Sequence, residues 1–211
     1  MLSITIIIIV ITCLVSIAGF SNGKIHDDLI FWPGAMARPN QYYRFFSYGF
    51  VHADYMHLIF NMLSLYFLGQ RGVEPWFEAM FGTKGRILYI ALYVLALVVS
   101  VLPDYFKHRG NYAYRALGAS GAVCAVIFAA ITLNPMSKYG LLFIPVRIPG
   151  WLFAILFLVL STYLARRGRD NIGHSAHITG AVFGMVFTII VSKVFADYDA
   201  VHEFIRQFRL F

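Results

Sequence analysis

The chain has 211 residues, of which 60% are hydrophobic and 13% are charged, and its formal net charge is +7. Soluble domains are about half apolar and about a quarter charged, so this composition excludes an ordinary soluble protein and predicts an integral membrane protein. The positive charge suits contact with anionic lipid headgroups, whereas the lack of a separate basic cluster argues against a nucleic-acid partner.

Apolar runs predict helical membrane spans along the chain, because each run is close to the length that crosses a bilayer. The predicted spans are residues 3–20, 55–70, 86–102, 116–133, 150–165 and 174–195. The first run lacks the basic flank of a cleaved signal peptide and is interpreted as a retained helix. The pattern therefore predicts an all-α bundle of six transmembrane helices, in a single membrane domain over residues 1–211.

Turn-forming residues predict where these spans end. Gly69, Gly72 and Pro75 are expected to end the second span. Pro103 is expected to end the third span, and Asn134 with the proline after it the fourth.

Two segments outside the spans carry their own pattern. Residues 21–54 form a long connection that is rich in aromatic residues and turn formers, so it is expected to lie partly buried in the headgroup region. Residues 197–211 alternate apolar and arginine side chains and predict an amphipathic helix along the interface. Lysines and arginines divide almost evenly between the two sides, so charge alone does not determine the orientation.

Ser120 stands out in the fourth span, because Gly118 and Gly121 clear space around its hydroxyl. His177 opens the sixth span and shares a helical face with Gly180 and Gly184, a small-residue pattern that lets two helices approach closely. A hydroxyl and an imidazole on two such helices are a candidate nucleophile and base. The pattern leaves open a structural serine and an imidazole that is satisfied by a backbone carbonyl.

Other polar residues extend this hypothesis. His57 and Asn61 lie on one face of the second span and are candidate donors to an oxyanion, each worth roughly 3–4 kcal/mol. Interhelical hydrogen bonds, worth roughly 0.6–2 kcal/mol, are the alternative for this pair. His174 and His177, with His52 and His57, leave a zinc site open, although no His-Glu-x-x-His signature accompanies them. Since no acidic residue lies within a predicted span, a serine–histidine pair without a carboxylate is the simplest arrangement.

These motifs, in this order on separate spans, resemble the rhomboid family of intramembrane serine proteases. Gly118-Ala119-Ser120-Gly121 resembles the nucleophile motif G-x-S-G, and Ala176 to Gly184 resembles the sixth-helix motif A-H-x-x-G-x-x-x-G. His52 to Asn61 resembles the second-helix pattern H-x(4)-H-x(3)-N. Tyr43-Arg44 stands where the family has an aromatic–arginine pair in its first loop, and Gly72-Val73-Glu74 resembles the end of its second helix.

The resemblance implies that Ser120 is the nucleophile and that His177 is the base and then the acid. It implies that His57, Asn61 and the backbone at Ser120 and Ala119 hold the oxyanion. The supporting positions would be His52, Gly118, Gly121, Cys124, Gly180 and Gly184. The fifth helix, with Trp151 and Phe153 near its start, would be a lateral gate.

The resemblance also implies a partner and a location. The substrates would be single-span transmembrane proteins in contact with membrane lipids, and no metal or cofactor is implied. Both termini would be cytoplasmic, in a multi-pass protein of the bacterial inner membrane. A catalytically silent relative that binds membrane proteins, and a zinc-dependent membrane enzyme, remain the alternatives.

Cys124 departs from the family pattern. Many members have an aromatic residue four positions after the serine, one helical turn on and against the catalytic histidine, where this chain has a cysteine. A smaller side chain restrains the imidazole less. We therefore expect either reduced activity or a compensating contact from another aromatic residue. Cys124 and Cys13 lie in apolar runs and are interpreted as buried small hydrophobic residues rather than as a disulfide.

Overall fold

A computed structural model of the chain describes residues 2–38, 40–140, 147–167 and 173–208. The α-helices along these residues are α1 (Ile4–Ser21), α2 (Gly23–Leu29), α3 (Arg44–Ser47), α4 (Tyr55–Ser64), α5 (Glu74–Phe81), α6 (Gly85–His108), α7 (Ser120–Leu133), α8 (Gly150–Arg167), α9 (His174–Ala196) and α10 (Ala200–Phe208). A π-helical segment, Leu65–Val73, joins α4 to α5. Two short strands, β1 (Lys138–Gly140) and β2 (Arg147–Pro149), pair antiparallel.

The helices confirm a multi-pass membrane protein. Four helical stretches are long and apolar enough to cross a membrane, namely Ile4–Ser21, Tyr55–His108, Gly150–Arg167 and His174–Ala196. Tyr55–His108 contains the second and third predicted spans, and α7 is apolar but has only 14 residues. The all-α helical bundle is therefore as predicted, whereas the count of six crossings stays a prediction.

The predicted end of the second span is wrong. Helical structure continues past Gly69 and Gly72 through the π segment and ends only at Gly82, which has a φ of +58°. Pro75 lies in the first turn of α5, where a missing N–H and a fixed φ do little harm. Gly69 serves packing instead, because a Cβ there would overlap the Tyr89 hydroxyl.

Pro103 likewise does not end the third span. It lies inside α6, which continues to His108. The proline removes one backbone hydrogen bond, but Val101 and Asp104 on either side of it are buried, so packing holds the helix together.

The connection over residues 21–54 is folded around a buried arginine. Arg44 donates to the backbone carbonyls of Asp27, at 2.9 Å, and Ile30, at 2.7 Å, and to the side chain of Gln41, at 2.7 Å. Tyr43 donates its hydroxyl to the Asp28 carbonyl. Pro39 lies outside the described residues.

The strand pair was not predicted. β1 and β2 lie at the two ends of the connection between α7 and α8, with Tyr139 opposite Ile148. Pro149 lies in β2, which is an edge strand of this two-stranded sheet, and an edge strand tolerates a proline. Residues 141–146 between the strands lie outside the described part of the chain.

α7 is the centre of the core, and α9 is its closest partner. A Cβ on Gly180 would overlap the Gly121 carbonyl, and a Cβ on Gly184 would overlap the Ala125 carbonyl. The two helices therefore meet backbone to backbone, as small residues in membrane helices allow. The short α10 packs at the other end of α7, where Gln207 donates to the Leu133 carbonyl at 3.3 Å. Residues 209–211 of the predicted tail helix lie outside the described residues.

We expect Gly184→Ala to destabilise the fold by about 1–3 kcal/mol, because the added methyl group must displace the Ala125 carbonyl. Thermal unfolding in detergent micelles measures this change. Gly23→Ala is the matched control, since nothing lies within 4 Å of a Cβ at Gly23. Equal melting temperatures for the two variants would contradict the close α7–α9 contact.

Candidate active site

Ser120 is the first residue of α7, four residues later than the predicted start of that span at 116. The preceding residues are held in an extended path, because Phe31 and Ala116 exchange two backbone hydrogen bonds of 2.9 and 3.0 Å. Gly118 then turns the chain with a φ of +105° and donates its N–H to the Tyr48 carbonyl at 3.0 Å. A left-handed φ of this kind favours glycine and stops the helix from starting earlier.

This start gives the Ser120 hydroxyl a helix N-terminus as its environment. The first intrahelical bond runs from the Val123 N–H to the Ala119 carbonyl at 2.9 Å. The N–H groups of Ser120, Gly121 and Ala122 therefore have no acceptor within α7, and they point toward the space before the helix. Together with the helix dipole, they favour negative charge beside the hydroxyl.

His177 lies in the first turn of α9 and contacts the serine directly. Its Nε2 is 2.7 Å from the Ser120 Oγ. When the ring carries its proton on Nδ1, the hydroxyl donates to Nε2, which is the geometry that a base needs. Both side chains are half-buried, so the pair is partly accessible from outside the bundle.

His57 and Asn61 lie on α4, which begins at the Asp54 cap. The His57 ring packs against Gly118, where an added Cβ would lie 2.5 Å from its Cε1. The buried Asn61 side chain donates from Nδ2 to the His57 carbonyl at 2.9 Å, so one of its two amide N–H groups is already engaged. The structure thus brings His57 to the loop before Ser120 and ties Asn61 to its own helix.

His52 is fully buried and supports the residue before the candidate nucleophile. The Ala119 N–H donates to its Nε2 at 3.4 Å, and its Nδ1 lies 2.9 Å from the Ser16 hydroxyl. The Ser16 hydroxyl donates to the Phe50 carbonyl at 2.7 Å, so every bond has a consistent direction when His52 is neutral. Burial, together with the neighbouring His57 ring, lowers the pKa of His52 to about 3.

This chain of hydrogen bonds changes two expectations from the sequence. The Ala119 N–H faces His52 and is therefore engaged away from an oxyanion in this state. Ser16 is a functional candidate that the sequence analysis missed. The sequence did contain a pattern that could have identified it, since the small and polar residues of the first span recur on one helical face. This face is the buried face of α1 and consists of Thr5, Thr12, Ser16 and Gly19.

The aromatic ring that many family members have one turn after the serine is supplied here by a residue of a different helix. Cys124 is buried beside Phe128 and Ala181, and Phe157 of α8 packs against this cluster. The Phe157 ring centroid lies 6.3 Å from that of His177. Phe153 stacks on Phe157, whereas Trp151 packs against Phe208 of α10.

The geometry offers little to the zinc alternative. The rings of His174 and His177 have centroids 6.0 Å apart and lie nearly perpendicular. Within residues 2–38, 40–140, 147–167 and 173–208, no three His, Cys, Asp or Glu side chains come together as a metal-binding group.

Comparison with known proteins gives a consistent result. The model of the rhomboid domain matches residues 39–194. Rhomboid protease GlpG of Haemophilus influenzae is 25% identical over 195 residues, which cover 90% of this chain and 92% of that protein. Rhomboid protease GlpG of Pectobacterium atrosepticum is 28% identical over 187 residues, which cover 88% of this chain and 60% of that protein.

Plant relatives are similar over a smaller part of their length. Rhomboid-like protein 15 of Arabidopsis thaliana is 26% identical over 175 residues, which are 76% of this chain and 40% of that protein. RHOMBOID-like protein 12, mitochondrial, of the same plant is 27% identical over 184 residues, which are 82% of this chain and 48% of that protein. The chain therefore spans less than half the length of these two relatives. Because the family model covers most of its residues, the chain belongs to the rhomboid family.

Proposed function

We propose that this chain is an intramembrane serine endopeptidase that cleaves membrane-anchored proteins through Ser120 and His177. The observation that carries the proposal is the 2.7 Å contact between the Ser120 Oγ and the His177 Nε2 at the head of two closely packed helices. Two bacterial relatives that align over most of this chain are named rhomboid protease. The mechanism below follows from the contacts of these residues.

Acylation begins when His177 accepts the hydroxyl proton of Ser120 on Nε2 and the Oγ attacks the carbonyl carbon of the scissile bond. The carbonyl oxygen becomes an oxyanion. We assign its donors to the free N–H groups of Ser120 and Gly121, the second amide N–H of Asn61, and His57. His177 then gives its proton to the leaving amine, the C–N bond breaks, and an acyl ester on Ser120 remains.

Deacylation repeats these steps with water. His177 takes a proton from the water, the hydroxide attacks the ester carbonyl, and Ser120 leaves with the proton that His177 returns. The half-buried position of both side chains supports this step, because water must reach the ester. The products are a new carboxyl terminus and the regenerated hydroxyl.

The substrate must expose its backbone to this site. A transmembrane helix hides its peptide bonds in internal hydrogen bonds, so the cleaved segment has to unwind locally. We therefore infer single-span substrates with small residues at the cut and a helix breaker nearby. We place both termini in the cytoplasm of a bacterium and the site toward the outer side of its inner membrane. A mitochondrial membrane is the alternative, since one plant relative is named mitochondrial.

Ser120→Ala is expected to reduce cleavage of a model transmembrane substrate by about 10⁶-fold, to the limit of detection, because the nucleophile is lost. The same change should abolish labelling by a serine-directed fluorophosphonate. Ser64→Ala, a half-buried serine on α4, is the matched control and should leave both readouts unchanged.

Three outcomes would contradict the serine mechanism. Cleavage that survives Ser120→Ala would exclude Ser120 as the nucleophile. Loss of wild-type cleavage on addition of a chelator favours zinc. A wild-type chain that binds transmembrane proteins but cleaves none of a broad set favours a silent relative.

His52 should make the stability of the fold depend on pH. Below the ordinary imidazole pKa of about 6.5, His52 binds a proton in the unfolded chain but stays neutral in the folded chain. Above pH 6.5, the neutral ring makes its full contribution to the free energy of unfolding. This contribution should fall toward pH 3, by up to about 1.4 kcal/mol per pH unit.

His52→Gln keeps one donor and one acceptor but cannot titrate, so the difference in melting temperature between pH 7 and pH 5 should shrink. His202→Gln, at an exposed position on α10, is the control and should retain the wild-type difference. If the two variants show the same pH dependence, His52 is not held neutral in the folded protein.

A further inference from the structure

Cys124 is a small side chain one turn after Ser120, and a ring from another helix packs against its cluster. The residue lies one turn after Ser120 on α7 and is 5% exposed. Its cluster includes Phe128 and Ala181, and the remaining volume is closed by Ala154 and Phe157 of α8. The small side chain on one helix and the large ring on the other are therefore complementary in volume.

The Phe157 ring also lies near the ring of His177. The centroids of the two rings are 6.3 Å apart with an interplanar angle of 34°, within the range of attractive aromatic pairs. Phe128 at 5.6 Å and Phe153 at 5.9 Å hold the Phe157 ring from other directions. The imidazole thus has an aromatic neighbour that fixes one side of it, and that neighbour belongs to α8.

α8 is also the least buried of the helices that could cross a membrane. Only 11% of its apolar span is buried, compared with 33% for α9, which carries His177. Its buried residues are Gly150 and Ser161, and the faces around Ile155 and Val159 are exposed. Among these helices, α8 therefore has the smallest share of buried residues to expose when it moves outward.

We propose that Phe157 is a positioning residue for His177, and that it couples the orientation of the base to the seating of α8. The inference rests on the proposed peptidase function. When α8 lies against α7, the ring restrains the imidazole toward the Ser120 Oγ. When α8 swings outward to admit a substrate, the ring leaves with it, and the base is aligned again only after α8 returns.

The alternative hypothesis, that Phe157 is only a barrier to substrate entry, predicts the opposite result. Removing a barrier raises the cleavage rate, whereas removing a support for the base lowers kcat. Phe157→Leu separates the two cases, because leucine keeps apolar bulk in the cluster but has no ring. We expect a fall in kcat of about 2- to 12-fold with little change in KM, the fold-change that loss of one aromatic pair produces.

The matched control is Phe187→Leu, the same substitution on the helix that bears His177 but ten residues further along it. It should leave kcat unchanged. A rescue variant, Cys124→Phe with Phe157→Ala, moves the ring from α8 to α7 within one cluster. It should restore kcat toward the wild-type value, provided that thermal unfolding shows it is folded.

A second readout does not depend on catalysis. In the Ser120→Ala background, the Hε1 resonance of His177 should shift when Phe157 becomes leucine, because the ring current is lost, and should not shift with Phe187→Leu. A raised cleavage rate, or an unchanged kcat with an unmoved resonance, overturns the proposal. If the wild-type chain cleaves nothing, the proposed function fails, and the resonance still decides whether the Phe157 ring lies against His177.

Discussion

The site depends on one contact, the backbone-to-backbone approach of α7 and α9. Gly180 lies against the Gly121 carbonyl and Gly184 against the Ala125 carbonyl, with no room for a side chain between them. Contacts this close fix the axial register of the two helices, because a shift along the axis would bring a larger residue to the crossing. The 2.7 Å contact between Ser120 and His177, at the end of the same pair of helices, follows from that register.

A second constraint decides what the serine can do. α7 begins only at Ser120 because Gly118, with a φ of +105°, breaks the helical path and bonds to the Tyr48 carbonyl. In a helix that started at 116, the N–H groups of Ser120 and of the residues after it would bond to carbonyls one turn earlier and would be unavailable to a ligand. The late start instead gives Ser120 the unpaired N–H groups of a helix N-terminus, which are donors for an oxyanion. The buried chain from Ser16 through His52 to Ala119 ties this loop to α1.

Features with a periodic or motif pattern could be predicted from the sequence, whereas contacts without a local pattern were missed. The spans and the small-residue face of His177, Gly180 and Gly184 are periodic patterns, so they could be recognised without coordinates. Helix ends at Pro75 and Pro103 were wrong, because packing against other helices outweighed the local cost of a proline. The contact between Phe157 and His177 has no local pattern, since the two residues lie on separate helices.

Two histidines of the site differ in role because their hydrogen bonds differ. Both ring nitrogens of His52 are engaged, one by the Ala119 N–H and the other with Ser16, in a place that water does not reach. A proton added to that ring would face an N–H donor, so His52 holds the loop and cannot serve as a base. His177 presents Nε2 to a hydroxyl in a half-buried position. Nε2 can accept a proton there from a hydroxyl or from water and pass it on to a leaving amine, and this capacity distinguishes the proposed base from its buried neighbour.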